Sequence, residues 1–318
     1  MLRVLRRDAL GLADQAPGTG WVLPPDTIWA DLELPTREEE LAVEQALSVN
    51  LPTREEMAAI EPSSRLYQED GATFMTATLL SRSADDWPQE APVTFVLARG
   101  VLVTIRYAAP RAFTVFAGRT AEPPPVASAG DALLGLMDAV VERLAAILEG
   151  AARDVEASSQ DIFQQRAADS FRPQLAALAH AQALTAKART SLTSLARMLS
   201  FAALAQEIEE QRGCKQHLRA LQRDVQALTE HAGFLSGNVA FLLDAALGLI
   251  NIQQNGIIKF FSVVAVVFLP PTLCASIWGM NFHHMPELDW PLGYPLAILA
   301  MLASGLLPYW WFRRKGML

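Results

Sequence analysis

Cysteine is scarce. Only Cys214 and Cys274 occur in 318 residues, far apart, the second inside an apolar run. That argues against a disulfide framework and agrees with a reducing cytoplasm for the soluble part. A basic surplus is lacking too. With 34 acidic against 26 basic side chains the net charge is −8, which argues against nucleic acid as a partner. Enzyme signatures are missing: the chain holds no Walker A sequence, no GxSxG, no HExxH and no CxxC pair. Five histidines do not by themselves make a zinc site. No internal repeat is visible. Arg3, Arg6 and Arg7 are not followed by an apolar core of signal-peptide length, so export of the soluble part is not expected.

What the chain does have is an uneven apolar excess. Apolar residues make up 51% of it, and the surplus gathers after Ile257. Phe260 to Trp278 is uncharged over about 19 residues, which at about 1.5 Å per residue nearly crosses the roughly 30 Å hydrocarbon core. Leu292 to Phe312 is uncharged over about 21 residues. Both are expected to span a membrane. Arg313, Arg314 and Lys315 follow directly, so the C-terminus is expected in the cytoplasm. Two spans return the N-terminal part to the same side and leave the loop 279–291 outside. Tyr309, Trp310 and Trp311 read as an inner interfacial belt, Trp278 and Trp290 as an outer one.

Before the spans the pattern divides near residue 125. Thr27–Leu34, Thr73–Leu80 and Val93–Tyr107 read as strands, the last folding at Ala98-Arg99-Gly100 into a hairpin. Thr36 with Glu39 caps a helix running to Val49. Glu122 to Pro125 is a break. From Gly130 onward the composition turns to Ala, Leu, Glu, Gln and Arg. It predicts three long helices, roughly 130–166, 174–210 and 216–278, with breaks near Phe171-Arg172-Pro173 and near Arg212-Gly213-Cys214. The third is expected to continue into the membrane as one rod.

Along the first span, steps of three or four from Asn255 reach Ile258, Ser262, Ala265 or Val266, Leu269, Thr272 and Ser276. That face carries all of the span's hydroxyls. Two readings stay open: helix packing through small hydroxyl residues, or a pore wall. A pore needs several copies around an axis, so that each polar residue becomes a ring and each bulky one a constriction that gates by dewetting. Pro270 and Pro271 likewise read as a simple kink or as a helix beside water. His283 and His284 near Glu287 read as solvent-facing loop histidines or as soft-metal ligands.

The loop joining the spans reads Gly279-Met280-Asn281-Phe282-His283-His284-Met285-Pro286-Glu287-Leu288. It resembles the CorA family of divalent-cation channels, whose mark is Gly-Met-Asn at the outer end of the first of two C-terminal spans. Gly248 to Asn255, Phe261 to Val264, Phe268 to Leu273 and Gly293-Tyr294-Pro295 look like its enterobacterial magnesium branch, with fainter echoes at Trp29 to Leu32 and Thr53-Arg54. The resemblance implies a homopentamer in the bacterial inner membrane. Its parts would be an α/β cytoplasmic domain (1–125), a long-helix funnel (126–256) and a two-helix pore domain (257–318). It implies a selectivity ring at Gly279, Met280 and Asn281, an outer mouth at His283 and Glu287, an inner polar ring at Asn255, and constrictions at Ile258, Phe261 and Leu269. Lys259 with Arg313, Arg314 and Lys315 would form a basic collar, which positive-inside anchoring explains equally well. It implies Mg²⁺ as cargo, with Co²⁺, Ni²⁺ or Zn²⁺ as others, and no further cofactor.

The chain departs from the family in two places. His283 stands where the family commonly has Glu. Met57-Ala58-Ala59-Ile60 stands where the family commonly places carboxylates that close the channel with intracellular Mg²⁺, while the partner carboxylate survives as Asp224. Weaker or relocated Mg²⁺ feedback is therefore expected; Glu61, Glu69 and Asp70 could compensate or simply form an exposed acidic turn. The competing functions are a Zn²⁺ or Ni²⁺ transporter of the ZntB type, with proton coupling as an option, and a membrane-anchored sensor or structural protein without a pore.

Overall fold

The computed structural model describes residues 1–7, 9–17, 21–59, 61–82, 87–123, 125–164, 171–280, 285 and 290–315. They form two compact units, Met1–Leu243 and Asp244–Leu318.

The first unit is built on one seven-stranded sheet. Its strands are β1 (Leu2–Arg6), β2 (Ala13–Gln15), β3 (Thr27–Glu33), β4 (Leu66–Glu69), β5 (Ala72–Arg82), β6 (Gln89–Ala98) and β7 (Val101–Arg106), in the order β2-β1-β3-β7-β6-β5-β4. Only β3 and β7 run parallel; every other neighbouring pair is antiparallel. Between and after the strands lie α1 (Arg37–Leu47), α2 (Arg54–Met57), α3 (Pro62–Arg65), α4 (Arg111–Arg119), α5 (Ala129–Phe163), α6 (Arg172–Ala202) and α7 (Gln206–Glu209). Helix α8 (Arg212–Trp278) begins in this unit and ends in the second.

Strand β3 explains why the alternation in its sequence is only partial. Both of its faces are covered, so the usual in-out contrast fades. Ala30 and Leu32 join Val43 and Leu47 of α1, Met57 of α2, and Phe74, Val96 and Val103 of the sheet in one core. Trp29 points to the opposite face, with its ring 6.4 Å from Phe113 and 5.3 Å from Phe116 of α4. Its indole N–H donates to Thr104 Oγ1 at 2.9 Å.

Asp31 shares that second face and is fully buried. It accepts from Arg106 Nε at 3.0 Å, Arg106 Nη2 at 2.9 Å, Thr104 Oγ1 at 2.8 Å and Arg3 Nη2 at 2.7 Å. Burial alone would raise its pKa. Arg106 above all, then Thr104 and Arg3, more than offset this and hold the carboxyl below its ordinary value.

Local signals resolve as their chemistry dictates. Thr36 and Glu39 form a reciprocal capping box at α1, and Thr53 with Glu56 forms another at α2. Ala98 pairs with Val101 across a two-residue turn, Arg99 and Gly100, at φ 52° and 77°. That is the left-handed backbone a tight hairpin needs. Asp70-Gly71 closes β4 to β5 in the same way, so the acidic stretch there is an exposed turn.

Helix boundaries need correcting in two places. The middle helix stops at Ala202 rather than 210, because the chain must turn for Ala205 and Ile208 to be fully buried. Gly130, near the start of α5, provides the room: a Cβ there would lie 2.9 Å from the Glu207 carbonyl and 3.4 Å from Ile208 Cδ1. The second break falls at Glu210 and Gln211, next to Arg212-Gly213-Cys214, so α8 starts at Arg212 rather than 216.

In the second unit, the end of α8 is joined by α9 (Gly293–Arg314). Both helices are long and apolar enough to cross a membrane. Most of their residues are exposed in the single chain, unlike the core helices of a soluble fold. Pro270 and Pro271 stay inside α8. Cys214 and Cys274 are free thiols, the first buried.

Candidate functional site

The predicted stripe lies on one side of α8. Asn255, Ile258, Phe261, Ser262, Leu269, Thr272 and Ser276 are all exposed in the single chain. The side that is covered runs through Val263, buried, and Val267, Pro270, Pro271, Cys274 and Trp278, half-buried. At about 100° of rotation per residue, the centres of these two stripes lie roughly half a turn apart.

Gly305 of α9 seats the covered side. It is the buried residue of α9. A Cβ there would lie 3.2 Å from Pro271 Cγ and 3.3 Å from the Val267 carbonyl oxygen, tight enough to force a shift. Pro271 has no N–H, so it leaves that Val267 carbonyl without its helical donor. The glycine therefore lets α9 close over the place where the proline interrupts α8. Sequence reasoning noticed both prolines but not Gly305, whose role depends on a residue of another helix.

On the exposed side the hydroxyls have defined directions. Thr272 Oγ1 donates to the Phe268 carbonyl at 2.7 Å, and Ser276 Oγ donates to the Thr272 carbonyl at 2.8 Å. Their hydrogens are committed to the helix, so they offer lone pairs to whatever faces this stripe. The bulky members are well exposed: Ile258 60%, Phe261 64% and Leu269 65%.

Gly279 and Met280 end the helix, with the Gly279 N–H on the Ala275 carbonyl at 2.9 Å and the Met280 N–H on the Ile277 carbonyl at 3.3 Å. Asn281, His283, His284 and Glu287 lie outside the described residues. At the other end of α9, the Arg314 guanidinium sits 5.1 Å from the Trp310 ring centroid and Lys315 Nζ sits 4.5 Å from that of Trp311. Trp290, Tyr309, Trp310 and Trp311 are exposed, as interfacial anchors are.

In the first unit, Asp224 is exposed on α8. Ala58 caps the end of α2, Ala59 follows it, and Ile60 lies outside the described residues. Among the described residues no three His, Cys, Asp or Glu side chains gather as a metal site.

Comparison with known proteins agrees with this arrangement. The family model described as CorA-like Mg2+ transporter protein matches residues 25–314. The magnesium transport protein CorA of Salmonella typhimurium is 37% identical over 294 residues, covering 92% of each chain. The protein of the same name from Escherichia coli K12 is 37% identical over 294 residues, also 92% of each chain. The complete structure of the CorA magnesium transporter from Methanocaldococcus jannaschii superposes with a TM-score of 0.78 at 16% identity, over 100% of this chain and 98% of that one. The sheet domain, the long helix and the two apolar helices thus recur together, and the chain belongs to the CorA-like Mg²⁺ transporter family.

Proposed function

We propose that the chain is a channel-type uptake protein for divalent cations, chiefly Mg²⁺, with Co²⁺ and Ni²⁺ as secondary cargo. The observation that supports this most is the stripe on α8 that α9 leaves uncovered. Five copies around an axis would turn it into a pore wall and would also cover its apolar members. The pore domain is 257–318, the funnel 126–256 and the α/β domain 1–125. The protein sits in the bacterial inner membrane with both termini cytoplasmic and the loop 279–291 outside.

Mg²⁺ holds its water shell tightly, and shell waters present hydrogens outward. A wall that accepts hydrogen bonds suits them. Thr272 and Ser276 have lone pairs free for this because their own hydrogens are committed to backbone carbonyls. A ring of Asn281 amide oxygens at the entrance accepts in the same way and is neutral, so it binds weakly enough to release the ion. Glu287 raises the local cation concentration. Ile258, Phe261 and Leu269 form rings that can dewet and close, and Asn255 forms the inner polar ring. Inward movement is driven by the membrane potential, about 2.3 kcal/mol per charge per 100 mV and twice that for a dication.

Feedback by intracellular Mg²⁺ is weaker than a paired carboxylate site would give, because Ala58 and Ala59 stand where the family pattern has the acids that would partner Asp224 of a neighbouring copy. His283 in place of Glu weakens cation capture and opens the mouth to softer ions. Membrane lipids surround the outer surface.

Thiol accessibility tests the pore wall. In a Cys214→Ser, Cys274→Ser background, Thr272→Cys and Ser276→Cys should each let a water-soluble methanethiosulfonate block most Mg²⁺ flux. Val267→Cys, on the α9 side, should not. Block at Val267 and none at Thr272 or Ser276 would place the water path on the wrong side of the helix.

A further inference from the structure

The soluble unit contains a cavity unlike the rest of this acidic chain. It measures about 610 Å³ and opens between β5, α6 and α8, within the usual size of small-molecule sites. Arg65, Arg189 and Arg197 line it, and no carboxylate does, although the chain carries 34 acidic residues against 26 basic ones. The rest of the lining is mainly hydroxyl and amide side chains.

Among the described residues, no ion pair neutralises any of the three arginines. Arg65 is anchored by Nε to the Ala59 carbonyl at 2.6 Å and by Nη1 to Thr78 Oγ1 at 3.0 Å. Neither partner is charged. Burial, and then the charge of nearby Arg197, pull the Arg65 pKa below the ordinary arginine value. Like charges held together this way cost free energy unless an anion joins them. Arg189 and Arg197 are both exposed on the part of α6 that lines the cavity, eight positions apart in sequence and so about 12 Å apart along the axis. Ser194 Oγ accepts from the Thr78 N–H at 2.9 Å, which leaves its own hydrogen free to donate.

We propose that this cavity binds a small multiply charged phosphate compound, an inorganic polyphosphate or a nucleoside polyphosphate, through Arg65, Arg189, Arg197 and Ser194. Three guanidinium groups call for a ligand with at least two negative charges. Phosphate supplies them with several acceptor oxygens that match the planar guanidinium fork. A bound anion would bridge α3, β5 and α6 beside Ser236 of α8, which is tied to α6 by Gln182 Nε2 at 3.0 Å. The site is independent of the transport reading, since binding is measured without ion flux.

The test is calorimetric titration of the full-length oligomer in detergent, without divalent ions, using pyrophosphate, ATP and citrate as probes. Arg189→Ala/Arg197→Ala is the variant, because among the described residues neither side chain makes a hydrogen bond or ion pair, and both are exposed, so folding should be kept. Pyrophosphate or ATP should bind, whichever is tighter identifying an inorganic or a nucleotide ligand. The double variant should bind roughly a hundredfold more weakly or worse, at about ten- to a hundredfold per lost charged hydrogen bond, with an unchanged melting temperature. No binding of either phosphate compound, equal binding by the variant, or citrate binding as tightly as pyrophosphate would overturn the proposal. So would a variant whose oligomer falls apart in the absence of any anion, since the arginines would then be meeting carboxylates of a second copy.

Discussion

Asp31 and Asp224 illustrate how differently one residue type behaves in this chain. Asp31 is fully buried among Arg106, Arg3 and Thr104, whereas Asp224 is exposed on α8. Asp31→Ala should destabilise the protein by about 3 kcal/mol, because it takes the buried carboxylate from the Arg106 guanidinium and leaves it only the half-buried Glu33, 2.8 Å away. Glu149→Ala, at an exposed position, should stay within about 0.5 kcal/mol; thermal unfolding of the purified protein distinguishes them. The sign with pH follows from the direction of the shift. The folded pKa lies below the ordinary carboxylate value of 3.8, so Asp31 contributes its full stability above that value. The contribution is lost as pH falls through the folded pKa. Acid unfolding of Asp31→Ala should therefore be less steep than that of the parent. At this scale the sequence was only partly legible. Trp29 to Leu32 stood out as an echo of a family, but not as a two-sided strand carrying a charge network, because Arg106 is 75 positions away. The arginine cavity was invisible for the same reason: Arg65 and Arg197 meet only once the sheet and α6 have packed.

Helix pairing in the membrane unit depends on Gly305. Gly305→Val should wedge α9 away from Pro271 and the Val267 carbonyl, lower the melting temperature by the equivalent of about 1–3 kcal/mol of overpacking and reduce flux. Gly305→Ala should fall between parent and Val, and a melting curve with a flux assay on each variant checks the series. An unchanged melting temperature in Gly305→Val would mean that α9 does not lean on the proline site. The elements themselves were mostly readable. Capping boxes, the Arg99-Gly100 hairpin and the apolar runs are local chemistry, and local chemistry is written in neighbouring residues. Strands β1 and β2 were not foreseen: β2 has three residues, too few to show a period. Helix α4, nine residues after Pro110, is equally short of turns. The boundary at Ala202 escaped because it is set by burial of Ile208 against α5, a tertiary demand that overrides helix propensity.

For the molecule as a whole, a single chain leaves too much apolar surface on α8 and α9 to stand alone in water, with Phe260 at 64% and Phe268 at 65% exposed. Lipid can cover part of it, and neighbouring copies can cover the stripe opposite α9. On the proposed reading a closed ring of copies would satisfy both demands and create the path for the ion, with no nucleotide chemistry required because the membrane potential would supply the work. The two apolar runs could be read from sequence because each is a contiguous stretch. The number of copies came only from the family resemblance, since it depends on surfaces between copies. The most direct measurement is Mg²⁺ entry into proteoliposomes holding the purified oligomer under an imposed inside-negative potential, with Asn281→Ala alongside. The account predicts entry that rises with the potential and is largely lost in the variant. No Mg²⁺ entry in a verified oligomer, or entry that ignores voltage and follows a pH gradient instead, would contradict it.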